Sequence, residues 1–377
     1  MLPGGVVVAQ RPLEPLTQVR ILAGQYNTKM LTGEPTLDRL LKATSRAFYL
    51  SLRILPPEIR KPISIAYLMA RTADTIADTQ NIELHVKLKS LEAIKMALNS
   101  GECLINPDDL FRSDEKPHLS LPEYPLLSSI PLTLQAIEVL EPNNSSLVKE
   151  VLATLIQGME MDLKCFGKAM SKNKIASLRN PDEVDLYTFL VAGCVGPFWT
   201  EVTFTNTPEL KDRDIKNISS LGVDFGKALQ MTNILRDCPS DIRAGKCYLA
   251  KKELADLCLT PDDLLNRSAS IKVKRLLINQ VNKTIDLYDS AEQYVLSIPP
   301  NCRRLRLAAL WPLLIGLGTL EALVLENSWM HSEKPAKVSR LWVYKMIIKS
   351  LFIVSSDYSI KFWIKQLRAS VGKGLLI

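Results

Sequence analysis

Asp74 with Asp78, and Asp237 with Asp241, are aspartate pairs spaced four residues apart. On a helix that spacing puts both carboxylates on one face. Hard divalent cations such as magnesium take oxygen ligands, usually one or two carboxylates completed by substrate phosphates and water. Two such faces turned toward each other would therefore clamp a diphosphate. Acidic pairs at this spacing are also common on solvated helix faces, so the neighbours decide. Before the first pair, Ile65, Leu68, Met69, Thr72 and Ile76 recur at helical intervals as a buried stripe, and carboxylates beside such a stripe face a cleft. Arg71 lies one turn before Asp74 and Tyr67 one turn before Arg71, adding a guanidinium and a phenol to the same surface. Around the second pair, Gln230, Asn233 and Asp237 share a polar stripe flanked by Leu229, Met231, Ile234 and Leu235. A buried amide network is the alternative role for that stripe. Arg236, Arg243 and Lys246 make the region cationic, as a multiply charged leaving group requires. Pro239 sits inside the second pair; a proline there removes a helix hydrogen bond at a cost of about 3 kcal/mol. It predicts a kink or helix end near Cys238 and makes Asp241 the least secure of the four aspartates.

Four ordered segments, SRAFYLSLRILPPEIR (Ser45 to Arg60), AYLMARTADTIAD (Ala66 to Asp78), YTFLVAGCVGPF (Tyr187 to Phe198) and GKALQMTNILRD (Gly226 to Asp237), resemble the signature set of the squalene and phytoene synthase family. Two later runs, RRLRLAALWPLLIGLGTLEAL (Arg303 to Leu323) and KVSRLWVYKMI (Lys337 to Ile347), are similar to the end of squalene synthases, most like the bacterial type. The resemblance implies a single-domain, isoprenoid-synthase-type helical bundle with a central apolar cavity. It implies head-to-head joining of two farnesyl diphosphates through the cyclopropyl intermediate presqualene diphosphate, then reduction to squalene with NADPH. Phytoene or dehydrosqualene synthesis, without the reduction, is the alternative. A non-catalytic member acting as a scaffold is the second.

By the same resemblance, Asp74, Asp78, Asp237 and Asp241 match magnesium-binding aspartates, and Asp74, Arg71 and Tyr187 match catalytic positions. Ser45, Arg46 and Phe48 match the family's start, with Arg46 a diphosphate contact, and Gln230, Asn233 and Arg236 match the polar face of the second motif. With Tyr67 and Lys246 these complete the expected substrate-binding set; Lys246 stands where the family usually has arginine. Lys337 and Arg340 resemble basic residues that squalene synthases use near the nucleotide. Ala77 and Ser240 depart from the family, which commonly has acids there.

Prenyl chains are long hydrocarbons and carbocations are quenched by water, so the cavity must be apolar and dry behind its diphosphate end. With 47% hydrophobic residues the chain has the material. Val191, Ala192, Gly193, Val195 and Gly196, with Phe198 and Trp199, suit either a prenyl chain or close helix packing, and Phe48, Tyr49, Leu52 and Leu55 suit either core or cavity wall.

Apolar periodicity is helical over Leu37–Leu55, Ile63–Ile76, Val86–Leu98, Val148–Phe166, Val184–Val202, Ile215–Leu235, Ile271–Val295 and Leu305–Leu325, with no convincing strand, so the fold class is all-α. Thr36 predicts an N-cap, and Asn180-Pro181-Asp182-Glu183 opens a helix. Gly101–Pro131, rich in proline, reads as a long irregular connection. Residues 1–35 read as a poorly ordered extension without a secretory pattern, 36–335 as the helical synthase domain, and 336–377 as basic amphipathic helices.

Seven cysteines without a CxxC pair predict reduced thiols in a cytoplasmic protein, and three scattered histidines argue against zinc or a histidine base. From Lys337 onward eight Lys and Arg face one acid, Asp357, which accounts for the net charge of +7. There Lys361, Lys365 and Arg368 lie opposite Phe362, Trp363, Ile364 and Leu367. That arrangement fits either peripheral contact with an anionic membrane or a last helix packed on the body with solvated lysines. No nucleic-acid motif is present. Leu307–Leu320 is uncharged over fourteen residues, short of the roughly twenty a span needs, which predicts a core helix. GLGTLE is not a dinucleotide fingerprint, so any NADPH would bind outside a Rossmann fold.

Overall fold

The computed structural model describes residues 34–45, 48–79, 82–101, 124–170, 174–266, 270–326, 329–331 and 335–375. The predicted stripes become α1 (Glu34–Ser45), α2 (Phe48–Ile54), α3 (Pro57–Asp78), α4 (Leu84–Ser100), α5 (Ile130–Glu138) and α6 (Pro142–Met170). They continue as α7 (Pro181–Thr188), α8 (Val195–Thr205), α9 (Ile215–Arg243), α10 (Ser270–Ser297), α11 (Arg303–Val324), α12 (Arg340–Ile353) and α13 (Asp357–Leu375). The bundle is helix on helix: α3 packs along α6, while α9 lies between α8 and α10 and also meets α11. A two-residue parallel pairing of β1 (Ala176–Ser177) with β2 (Lys246–Cys247) is the only sheet among the described residues. It anchors the segment that follows α9.

Local chemistry sets the helix ends. Pro57 opens α3 with Glu58 in the first turn, where a missing N–H is harmless and an acid complements the helix dipole. Asn180 caps α7, its side chain accepting from the Glu183 amide at 2.9 Å. The stripe Ile65, Leu68, Met69, Thr72 and Ile76 is buried as the spacing requires. The span-like helix α11 is 72% buried over its most apolar stretch, which makes it a core helix.

Four expectations need correction. α1 begins at Glu34, ahead of Thr36, which is therefore not its N-cap, and the stripe Leu37–Leu55 is carried by α1 and α2, with residues 46–47 outside the described residues. The connection 101–131 holds a helical turn, Tyr124–Leu127, and the start of α5, which carries Pro131 in its first turn; residues 102–123 lie outside the described residues. The stripe Val184–Val202 is interrupted by a π-turn, Phe189–Gly193, closed by the Cys194 amide on the Phe189 carbonyl at 2.8 Å. Finally, α9 does not end at Cys238 but runs through Pro239 to Arg243. Proline at 239 leaves the Leu235 carbonyl without its helix donor, and the Trp329 indole N–H donates to that carbonyl at 2.7 Å. The lost bond is replaced from outside the helix. The extension expected over residues 1–35 lies outside the described residues apart from Glu34 and Pro35, which open α1.

Candidate active site

The C-terminal turns of α3 and α9 face one cavity of about 590 Å³. Tyr67, Arg71, Asp74 and Asp78 reach it from α3, and Gln230, Asn233 and Asp241 from α9. Tyr187 comes from α7, Asp162 from α6, Lys246 from β2, and Tyr248 from just beyond. The pairing of β1 with β2 lays Lys246 and Tyr248 along this wall.

The acids feel one another across the cavity. Burial, then the Asp78 carboxylate, raises Asp74 to about 6 although Arg71 opposes the shift from an ion pair with it. Burial, then Asp237, raises Asp241 to about 7, and Asp162 and Asp78 add to the effect. Asp78 and Asp241 line the same cavity, which brings the two motifs together although they are about 160 residues apart in sequence. Lys246 lies among these acids, its ammonium 2.7 Å from Asp162. Burial opposes its charge, but Asp162, Asp78 and Asp241 together hold its pKa above the usual value. Burial and then Asp162 raise the Tyr187 phenol, whose ring stacks on Tyr248 at 4.9 Å.

Behind the polar cavity lies an apolar chamber of about 260 Å³, and Val191, Gln230 and Asn233 line both. Phe48, Trp199, Phe225 and Leu229 form much of the chamber wall. Glycines permit the close crossing that shapes it. A Cβ on Gly196 would lie 2.1 Å from the Gly222 carbonyl carbon, and one on Gly226 would lie 2.4 Å from the Ala192 oxygen. Helix packing and chamber lining are thus one role for these small residues. The π-turn carries Val191 and Ala192 on the same wall.

Not every expected site residue converges. Asp237 is tied to Arg236 through two hydrogen bonds, and neither lines the cavity, so Asp241, doubted because of Pro239, is the second motif's open carboxylate. Ser45 is buried and its hydroxyl donates to Leu41 within α1, whereas Phe48 does reach the chamber wall, packed on Tyr67 at 5.1 Å between ring centres. Lys337 and Arg340 are exposed and line neither cavity. Arg46 lies outside the described residues.

Three polar residues were missed. Asp162 ends the α6 stripe of Leu155, Gly158 and Met159, and a lone acid on an otherwise apolar face was its only signal. Tyr248 donates its phenolic proton to Asp162. Lys87 donates to the Ala77 carbonyl at 2.7 Å beside the end of α3, and burial lowers its pKa although Asp78 opposes this. Nothing in its own helix pattern marks it.

The donor set is all oxygen: Asp74, Asp78 and Asp241 line one cavity. An all-oxygen set of that kind, with Asp74 and Asp241 raised first by burial and then by a neighbouring carboxylate, fits a hard divalent cation. No three acids among the described residues close on one point, so a cation here would complete its shell with water or substrate oxygens, as magnesium does.

Fold and site together describe an all-helical enzyme scaffold with opposed acidic faces above an apolar chamber. The chain belongs to the squalene/phytoene synthase family, whose model matches residues 41–342. This is a family of prenyltransferase-type enzymes that condense prenyl diphosphates head to head. The chain is 27% identical over 343 residues to a chloroplastic phytoene synthase of an Oncidium hybrid cultivar, covering 89% of this chain and 72% of that one. It is 26% identical to a bifunctional lycopene cyclase/phytoene synthase of Podospora anserina, covering 74% of this chain and 45% of that longer protein. Among solved structures, a ligand complex of TcSQS superposes with a TM-score of 0.66 at 18% identity, covering 90% of this chain and 98% of the other. A dehydrosqualene synthase complex gives 0.60 at 19%, covering 88% and 96%. These structures establish the shared fold.

Proposed function

We propose that this chain joins two prenyl diphosphates head to head through a cyclopropyl intermediate, releasing pyrophosphate. One observation carries the reading: Asp74 and Asp78 on α3 face Asp241 on α9 across a cavity that continues into an apolar chamber. Asp74, Asp78 and Asp241, with Asp237 once freed from Arg236, would hold magnesium, which when bound supplies Lewis-acid neutralisation of the diphosphate. Arg71 and Lys246 bring fixed positive charge to the same end, where negative charge grows on the leaving oxygen. The chamber takes the hydrocarbon tails and excludes water from the allylic cation. The double bond of the second donor attacks that cation at its C1, and transfer of a proton from the same C1 of the ionised donor to the departed pyrophosphate closes the cyclopropane. Tyr187, held protonated by burial and Asp162, keeps a hydrogen-bond donor at the cavity wall without adding another negative charge.

Phytoene-type outcome, without reduction, is the favoured product class, because the named sequence relatives are phytoene synthases and Lys337 and Arg340 stand outside both cavities. Squalene formation with NADPH is the second reading, and it rests on the resemblance of Arg303 to Leu323 and Lys337 to Ile347 to squalene synthases. Incubation with farnesyl or geranylgeranyl diphosphate, magnesium, and either no nucleotide or NADPH separates them by chromatography of the hydrocarbons. An unreduced product unchanged by NADPH supports the first reading; squalene formed only with NADPH replaces it with the second.

A further inference from the structure

The sequence of α12, RLWVYKMIIKSLFI, spreads apolar residues around the helix and holds three charges, Arg340, Lys345 and Lys349. Such an apolar spread belongs against a core or lipid, yet only one side of α12 is covered. Met346 and Ser350 are buried, the Trp311 indole donates to the Ser350 hydroxyl at 2.9 Å, and Trp342 closes over Gly318 of α11. The opposite side presents Leu341, Tyr344, Ile348, Leu351 and Phe352 to solvent at helical steps, with Phe352 84% exposed. A continuous apolar stripe of this size marks an interaction surface rather than ordinary scatter. Beyond the turn at residues 354–356, Tyr358 and Phe362 are also exposed on α13 and stack at 6.4 Å.

The charges around the stripe have one sign. By helical spacing Arg340 borders it on one side and Lys345 on the other, Lys349 lies over the Trp363 ring at 4.0 Å, and Lys361 and Lys365 stand exposed on α13. Asp357, the sole acid from residue 337 onward, is paired with the buried guanidinium of Arg306. Arg368 is turned inward onto Asp289 and Glu292, while Trp363, Ile364 and Leu367 are buried. So α13 is packed on the body through Trp363, Ile364 and Leu367, and the exposed apolar face runs along α12 and continues onto α13 only at Tyr358 and Phe362.

The geometry points to this face as a docking surface for an anionic lipid bilayer. The apolar side chains of α12 enter the boundary between headgroups and acyl chains, and the lysines meet lipid phosphates and carboxylates. A second copy is the poorer occupant, because a two-fold interface would set the same lysines against one another. The inference does not depend on which prenyl diphosphates the chain joins.

Sedimentation of the full chain with vesicles of phosphatidylcholine, with and without phosphatidylserine, tests it. The expected result is co-sedimentation with the anionic vesicles and little with phosphatidylcholine alone. Lys345→Gln with Lys361→Gln should lower that partitioning on the order of tenfold. Ile348→Glu with Phe352→Glu should abolish it, with circular dichroism and pyrophosphate release unchanged because both side chains are exposed. Wild type left in the supernatant with both vesicle types overturns the proposal. So does a wild-type dimer in analytical ultracentrifugation that Phe352→Glu converts to monomer, which assigns the face to a second copy.

Discussion

The two aspartate ledges share a spacing and are built by different means. The first ends its helix: Asp78 is the last residue of α3, Asp74 pairs with Arg71 one turn earlier, and Lys87 covers the Ala77 carbonyl. Carboxylates are unfavourable against the negative end of a helix dipole, so the nearby cations offset a local cost. The second lies inside α9 and spans a proline, and its continuation depends on Trp329, which is distant in sequence. There the first aspartate is occupied by Arg236 and the second opens to the cavity. A sequence motif therefore fixes which residues share a face, while the surrounding fold decides which carboxylate is available.

The strongest way to sharpen this contrast is to remove one carboxylate at a time. Asp78→Asn and Asp241→Asn should each lower magnesium-dependent pyrophosphate release by about 10²- to 10³-fold, the scale of a lost electrostatic contact at a reacting centre. Asp237→Asn should cost less, since Arg236 already engages that side chain. Equal losses at Asp237 and Asp241 would remove the distinction between open and occupied carboxylates.

Next in size is the prop under the second ledge. Trp329→Phe leaves the Leu235 carbonyl buried without a donor, which costs about 1–3 kcal/mol. In a Pro239→Ala background the helix regains its own N–H, so the same substitution should cost less there. A double-mutant cycle by urea denaturation measures the coupling. Additive losses would mean that the indole does not stand in for the missing helix bond.

The acids also make a prediction about pH. Asp74 at about 6 and Asp241 at about 7 lie above their ordinary 3.8, so between those values the folded chain binds protons that the unfolded chain has released. Stability of the metal-free chain therefore falls as pH rises from about 4 to about 7 and levels off above that. Magnesium with inorganic pyrophosphate favours the ionised acids and should flatten the slope. Thermal melts across this range, with and without both additives, check the sign. The smallest effect is expected at Ser240, which is exposed: Ser240→Glu should change stability by no more than about 0.5 kcal/mol.

Periodicity made most helices legible, because burying one face of each helix is what the bundle requires. The buried stripe beside Asp74 and the capped start of α7 are local features and could be read directly. Pro239 could not, since the Trp329 donor that rescues its helix lies in another segment. Asp162 and Tyr248 likewise gain meaning only when α6, β1 and β2 meet at the cavity. Pro131 argued for a loop but occupies the first turn of α5, where a proline is tolerated. For the tail, sequence located the positive charge, but only packing revealed that α12 carries most of the uncovered apolar face, with Tyr358 and Phe362 of α13 at its end.

Pyrophosphate release from a prenyl diphosphate, followed in wild type and Asp241→Asn with and without magnesium, tests the central claim most directly. The expected result is magnesium-dependent release by wild type, with a cyclopropyl or hydrocarbon product, and a loss of about 10²- to 10³-fold in the variant. Absence of release by wild type at high enzyme concentration would contradict it and leave the opposed aspartates as part of a non-catalytic scaffold.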